Sequence, residues 1–281
     1  MQHQTLGTRP SPLAGKWYPG DARSLTQMLD QFLGAVDGEL VQGQILGLLA
    51  PHAGLRYSGP VAAHAYATVR TKSFDTAVII GPMHQPMHGA VLTSAHSAYE
   101  TPLGLVPVDQ ETVAKLGERV ELTAIQNDPE HSVEIELPFL QRVLQPGFSF
   151  IPIMLRDQSE ERATTLGTAL AETLRGRSVL FVASSDLSHY QTQEIANRLD
   201  KRMLDCVESM DAHQVVMSME MGTGVACGYG AIATVINAVR AWAADHAEIV
   251  GYATSGDVTG DYSQVVGYGA AVFRKAAEGP A

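Results

Sequence analysis

Val179-Leu180-Phe181-Val182-Ala183-Ser184-Ser185-Asp186-Leu187-Ser188-His189 is the stretch whose reading decides the fold. Five apolar residues run without alternation into a polar turn that ends on a histidine. An unbroken apolar run of this length fits a strand buried on both faces. The same layout occurs twice upstream. The run 45–50 enters Pro51-His52-Ala53-Gly54, and the run 77–80 enters Gly81-Pro82-Met83-His84. Further strand-like runs fall at 120–125, 148–155, 249–254 and 265–273.

Helical patterns lie between them. Leu25, Met28, Leu29 and Phe32 keep i, i+3, i+4, i+7 spacing behind a Ser24-x-x-Gln27 capping box. Ser58 reads as the cap of a second helix with Pro60 in its first turn, continuing through Ala63, Tyr66 and Val69. Residues 134–144, 159–174, 192–210 and 229–243 supply the rest. Strands separated by helix-length segments predict an α/β fold, a central mixed or parallel sheet flanked by helices on both faces. No repeat or linker divides residues 1–281, so one domain is expected. The turn-rich stretch 89–109 predicts an excursion or hairpin.

Composition narrows the function classes. Nineteen basic side chains face 30 acidic ones, a net charge of −11, and no Lys/Arg cluster stands out. Nucleic-acid and membrane-surface partners, which need such clusters, are therefore not expected. No apolar run reaches the roughly 18 residues that span a bilayer. The opening Met1-Gln2-His3-Gln4 has no basic-then-apolar layout, so no secretory leader is expected and the chain reads as cytoplasmic. Two cysteines, Cys206 and Cys227, cannot build a disulfide framework. Ten histidines are the unusual count.

Three of those histidines, His52, His84 and His189, sit just past a buried strand. If the strands are parallel, the three loops open at one sheet edge, where α/β proteins bind ligands. Any one alone reads as a loop hydrogen bond; the set reads as a site. Cys227 lies in a Gly-rich approach to an apolar helix, where the helix dipole favours a thiolate. Two imidazoles and a thiolate suit a divalent transition metal. Cys206, inside a helical pattern, reads as a small core residue. Asp186 with His189, and His131 with Glu134, share i, i+3 spacing, which allows proton relay or ligand orientation. For the second pair, acidic enrichment of a helix start is the equally weighted alternative. His84-x-x-x-His88 lacks the zincin Glu and contains Pro86, and no phosphate loop or Gly-x-Ser-x-Gly elbow is present. His3, His64, His96, His213 and His246 read as surface or structural.

Taken in order, these residues resemble the Memo family. The matching segments are Arg9-Pro10, Ala14-Gly15-Lys16-Trp17-Tyr18-Pro19, Pro51-His52-Ala53-Gly54, Gly81-Pro82-Met83-His84, Thr101-Pro102-Leu103-Gly104 and Glu130-His131-Ser132-Val133-Glu134. Ser184-Ser185-Asp186-Leu187-Ser188-His189-Tyr190, Ala226-Cys227-Gly228 and Thr254-Ser255-Gly256-Asp257 follow. Prokaryotic members are similar to protein B of the AmmeMemoRadiSam system, which groups a Memo protein with an AMMECR-type protein and a radical-SAM protein. The family also resembles class III extradiol dioxygenases in fold and pocket position.

The resemblance implies that His52, His84 and Cys227 are metal ligands, that His189 with Asp186 is the acid–base pair, and that His131 and Glu134 line the pocket. It implies Fe(II), with Zn or Cu as the other candidates. Cys227 stands where the dioxygenases carry a carboxylate, so the fold transfers better than the ring-cleaving reaction. Three functions follow as expectations. The first is an iron-dependent oxidoreductase acting on a small molecule or peptide, with Asp186 fixing the tautomer of His189. The second is a non-catalytic phosphopeptide-binding or accessory module working with AMMECR-type and radical-SAM proteins. The third is a metal-dependent hydrolase.

Overall fold

The apolar runs become the centre of a sheet because their side chains are buried on both sides. The structure is a computed structural model that describes residues 6–37, 41–70 and 72–276. Its first half comprises β1 (Leu6–Arg9), α1 (Ala22–Gly34), β2 (Gln44–Ala50), α2 (Leu55–Ala67), β3 (Thr76–Pro82), β4 (Val91–Ser94), β5 (His96–Thr101) and β6 (Gly104–Pro107). Next come α3 (Gln110–Gly117), β7 (Thr123–Ile125), a single 3-10 turn (Glu134–Glu136), α4 (Leu137–Val143) and β8 (Ser149–Leu155). The chain continues with α5 (Glu160–Thr173), β9 (Val179–Ser184), β10 (His189–Gln191), α6 (Gln193–Glu208) and α7 (Ala212–Glu220). It closes with α8 (Tyr229–Ala241), β11 (His246–Thr254), α9 (Gly256–Thr259) and β12 (Val265–Lys275).

The main sheet runs in the order β10-β12-β2-β9-β3-β8-β4-β7, with β11 also paired to β12. Its centre, β2-β9-β3-β8, is parallel, whereas β12 and β4 pair antiparallel to the strands they flank. The sheet is therefore mixed, as expected. Alternation along β3 divides the interior into two layers. Ala77 and Ile79 face a core containing Leu25, Tyr66 and Phe139, from α1, α2 and α4. Val78 and Ile80 face a second core containing Leu170, Ile232 and Val235, from α5 and α8. Each such Leu, Ile or Phe contributes roughly 1.5–3 kcal/mol by leaving water. Helices thus cover both faces of one α/β domain. Among the described residues no helix is long and apolar enough to cross a membrane.

The stretch 89–109 does hold the hairpin. β5 and β6 pair antiparallel and join β1 in a small second sheet, while β4 returns to the main one. Two helix starts differ from expectation. Asp21, not Ser24, caps α1, accepting the Ser24 N–H at 2.9 Å, which places Leu25, Leu29 and Leu33 inward. α2 begins at Leu55 behind Gly54, so Ser58 lies within it and donates its hydroxyl to the Ala53 carbonyl, with Pro60 inside the helix. The strand expected at 120–125 shortens to β7 because Val120 still bonds back to Leu116 at the end of α3.

Because β2, β9 and β3 are parallel neighbours, their carboxyl ends share one edge. His52, His84 and the 185–189 turn emerge there together.

Candidate metal centre

His52, two residues past β2, is almost fully buried at 1% exposure. Its N–H donates to Asp186 Oδ1 at 2.8 Å, and its Nδ1 lies 3.0 Å from Ser184 Oγ. His84, two residues past β3, is held by Glu130. The backbone N–H donates to Oε2 at 2.6 Å and Nδ1 lies 2.9 Å from Oε1. His131 Nδ1 is 3.1 Å from that same Oε1. Its ring stacks on His84 with centroids 4.4 Å apart, and Trp17 covers it at 4.5 Å. Gly81 makes this convergence feasible, since a Cβ there would meet Ser132 Oγ at 2.5 Å.

One ring nitrogen from each of His52, His84 and His131 lies within 4.8 Å of the others, a group that could hold a metal ion. Their Nδ1 atoms face protein partners, which leaves Nε2 as the nitrogen whose lone pair can reach a metal. Burial favours the neutral form of His52 and His131. It drives His52 well below its ordinary pKa and His131 down to about 4. Glu130 stays ionised: although burial opposes its charge, the bond to His84 and the neighbouring imidazoles bring its pKa down to about 2. A buried carboxylate behind imidazole ligands is the usual outer shell of a transition-metal site. The donor set fits a metal.

Cys227 lies beside this group, not apart from it. Its Sγ is 3.1 Å from His52 Nε2 and 3.8 Å from Ser185 Oγ. Gly228, the cap of α8, permits the approach, because a Cβ there would stand 2.7 Å from the Ser184 carbonyl. The expected thiolate does not form in the metal-free protein. Burial, reinforced by Asp186, pushes the thiol well above its ordinary value, against the direction expected beside a helix start.

Asp186 and His189 meet, but in another arrangement than expected. Asp186 Oδ2 is 4.0 Å from His189 Nε2, beyond hydrogen-bond reach. The Leu187 carbonyl, 3.0 Å from Nδ1, sets the His189 tautomer instead. Asp186 uses Oδ1 to clamp the N–H groups of His52 and Ala53. Burial lifts its pKa to about 7 and lowers that of His189.

Glu134 does not line the pocket. Its carboxylate accepts from Arg9, Ser11 and Tyr18, all on the amino-terminal segment. Arg9 is itself 2% exposed and also donates to the Asp128 and Glu130 carbonyls. Glu134 therefore fastens the segment that carries Lys16 and Trp17 over the site. Glu130, one residue before His131, is the carboxylate that composition and spacing passed over. An acidic residue adjacent to a pocket histidine was the available signal.

These groups border an open cavity of about 490 Å³ lined by His52, His84, His131, Asp186 and His189 together with Lys16, Trp17, Tyr57 and Tyr190. Tyr190 is 71% exposed and holds a left-handed backbone with φ 59°, a conformation that costs a Tyr of order 1–3 kcal/mol. The aromatic rim had no signal in hydrophobic periodicity. His64, His96, His213 and His246 lie elsewhere, and His3 falls outside the described residues.

A family model described as Memo-like protein matches residues 9–272. The chain belongs to the Memo family. The matched span contains every site residue of this Memo chain named above. MEMO1 family proteins are similar to it along nearly their whole length. That of Nitrosopumilus maritimus is 37% identical over 272 residues, covering 94% of this chain and 99% of the relative. That of Methanopyrus kandleri is 37% identical over 282 residues, covering 95% and 99%. That of Methanococcoides burtonii is 37% identical over 269 residues, covering 95% and 100%.

Proposed function

We propose that this Memo-family protein is an Fe(II)-dependent oxidoreductase acting on a small molecule held in the cavity beside His52, His84 and His131. The observation that carries the reading is a set of three converging imidazoles, backed by ionised Glu130, opening onto a cavity that also contains His189. Similarity to class III extradiol dioxygenases points the same way. His52 and His84 would hold the metal, with Cys227 as the soft third donor and His131 at its side. Bound Fe(II) supplies the electrons and the open coordination position that O2 chemistry requires.

The protein's own groups would handle protons. His189, neutral and with Nδ1 committed to Leu187, presents Nε2 as a base towards a substrate hydroxyl. Asp186, with a pKa of about 7, can return a proton through a substrate or water oxygen, since 4.0 Å separates it from His189. Trp17, Tyr57 and Tyr190 would sandwich a flat ligand and keep water out.

Anaerobic reconstitution with Fe(II), followed by metal analysis and O2 uptake with candidate substrates, tests this. His52→Ala and Cys227→Ala should lose iron; unchanged iron content in both would sink the reading. The nitrogen-only group of His52, His84 and His131 favours a second reading, Zn²⁺ hydrolysis, in which a bound water is acidified. Zn-loaded protein that cleaves esters while Fe-loaded protein consumes no O2 would select it. Copurification with AMMECR-type and radical-SAM proteins, without turnover, would select the accessory role.

A further inference from the structure

Ser184, the last residue of β9, is fully buried and has one hydroxyl proton for three close neighbours. Its Oγ lies 2.6 Å from the Ser132 carbonyl, 2.7 Å from Glu136 Oε1 and 3.0 Å from His52 Nδ1. The Ser184 hydroxyl is within donating distance of both the carbonyl and Glu136, and the carbonyl can only accept, so pairing every buried acceptor gives the carbonyl the Ser184 proton. That leaves Ser184 Oγ with two lone pairs and no donor of its own for Glu136 or His52. An ionised Glu136 would then face the Ser184 oxygen at 2.7 Å with no proton between them, a buried contact between two acceptors. The other oxygen of Glu136 accepts from Tyr66 at 2.7 Å, and the residue is 1% exposed with no cation among its bonded partners.

A single proton arrangement satisfies every atom. We infer that Glu136 is a positioning residue of the metal centre: as a neutral carboxylic acid it donates to Ser184, which together with the Ser132 carbonyl commits His52 to the Nδ1–H tautomer. His52 is thereby held with Nε2 free, without a negative charge behind it. The two outer-shell acids of this site then occupy opposite states. Glu130 is ionised behind His84 and His131, and Glu136 is neutral behind His52. Burial lifts the Glu136 carboxyl to about 8, with the bonds from Ser184 and Tyr66 offsetting only part of that rise, in accord with the proton accounting. The inference rests on the metal-centre part of the proposed function and not on iron or on the reaction.

The test uses metal-free full-length protein at neutral pH. An infrared difference spectrum between wild type and Glu136→Gln should contain the carbonyl stretch of a protonated carboxylic acid. Loss of carboxylate bands in its place overturns the inference. Zn(II) affinity, read by competition with a chromophoric chelator, supplies the second arm. The Gln amide can donate to Ser184 and accept from Tyr66, so Glu136→Gln should stay within about threefold of wild type, whereas Glu136→Leu weakens Zn(II) about 10- to 100-fold. Ser184→Ala should weaken it comparably and serves if Leu at 136 prevents folding. Equal affinity in all variants overturns the positioning role. A wild type that binds no Zn(II) overturns the metal-centre reading itself, a failure seen before any variant is made.

Discussion

The Cys227 Sγ lies 3.1 Å from His52 Nε2, on the atom a metal would claim. A four-coordinate metal with bonds of about 2.3 Å to sulfur and 2.0–2.1 Å to nitrogen separates such a pair by roughly 3.5 Å. The thiol–imidazole contact is therefore close to the spacing of two ligands, and a metal would displace its proton. Co(II)-loaded wild type should display a sulfur-to-cobalt charge-transfer band that disappears in Cys227→Ala and persists in His131→Ala. A wild-type spectrum without that band assigns the metal to the three histidines alone.

Glu130 bridges His84 and His131 and also accepts the backbone N–H groups of His84, His131 and Ser132. Glu130→Gln removes the charge that orients both rings. Metal affinity should fall about 10- to 100-fold, the range for outer-shell carboxylates. Titration against a competing chelator measures it, and an unchanged constant would show that the carboxylate serves only the backbone.

Asp186 makes stability pH-dependent. Its folded pKa, about 7, is raised by burial above the ordinary carboxylate value of 3.8, so the folded chain binds the extra proton in between. That contribution is complete below the unfolded value and is lost as pH rises through about 7. Asp186→Asn cannot titrate. Relative to this variant, metal-free wild type should lose roughly 1–3 kcal/mol between pH 5 and pH 8, measured by urea unfolding. A constant difference across that range would rule the linkage out.

Arg9 and Glu134 form a buried ion pair, exposed by 2% and 0%. Arg9→Ala leaves Glu134 with hydroxyl partners but no cation. The expected loss is about 3–5 kcal/mol, read from the urea midpoint. A loss well below 1 kcal/mol would mean that the amino-terminal segment is not seated by this pair.

Legibility differed by kind of residue. The strands β2, β3, β8 and β9 are readable because short continuous apolar runs bounded by turn residues fit a strand buried on both faces. His52, His84 and His189 were readable as a group because each follows such a run. Glu134 and the contact between Asp186 and His189 differ from expectation for one reason: i, i+3 spacing states which residues share a local face, while their oxygens are claimed by distant groups. Arg9 lies 125 positions from Glu134, and His52 lies 134 from Asp186. The Asp21 cap competes closely with the Ser24 signal, since Asp and Ser cap equally well, whereas α2 starts behind Gly54 with no side-chain cap to read.

Local order along the chain determined the α/β architecture, the loops that carry chemistry and the family, because apolar periodicity and short motifs are properties of neighbours. Tertiary structure alone decided which oxygen faces which nitrogen. It set Glu130 ionised, Glu136 neutral and Cys227 protonated, and it turned Glu134 from a pocket residue into an anchor. Those outcomes depend on burial and on partners scattered through the chain, which strand order brings together and which spacing in sequence does not encode.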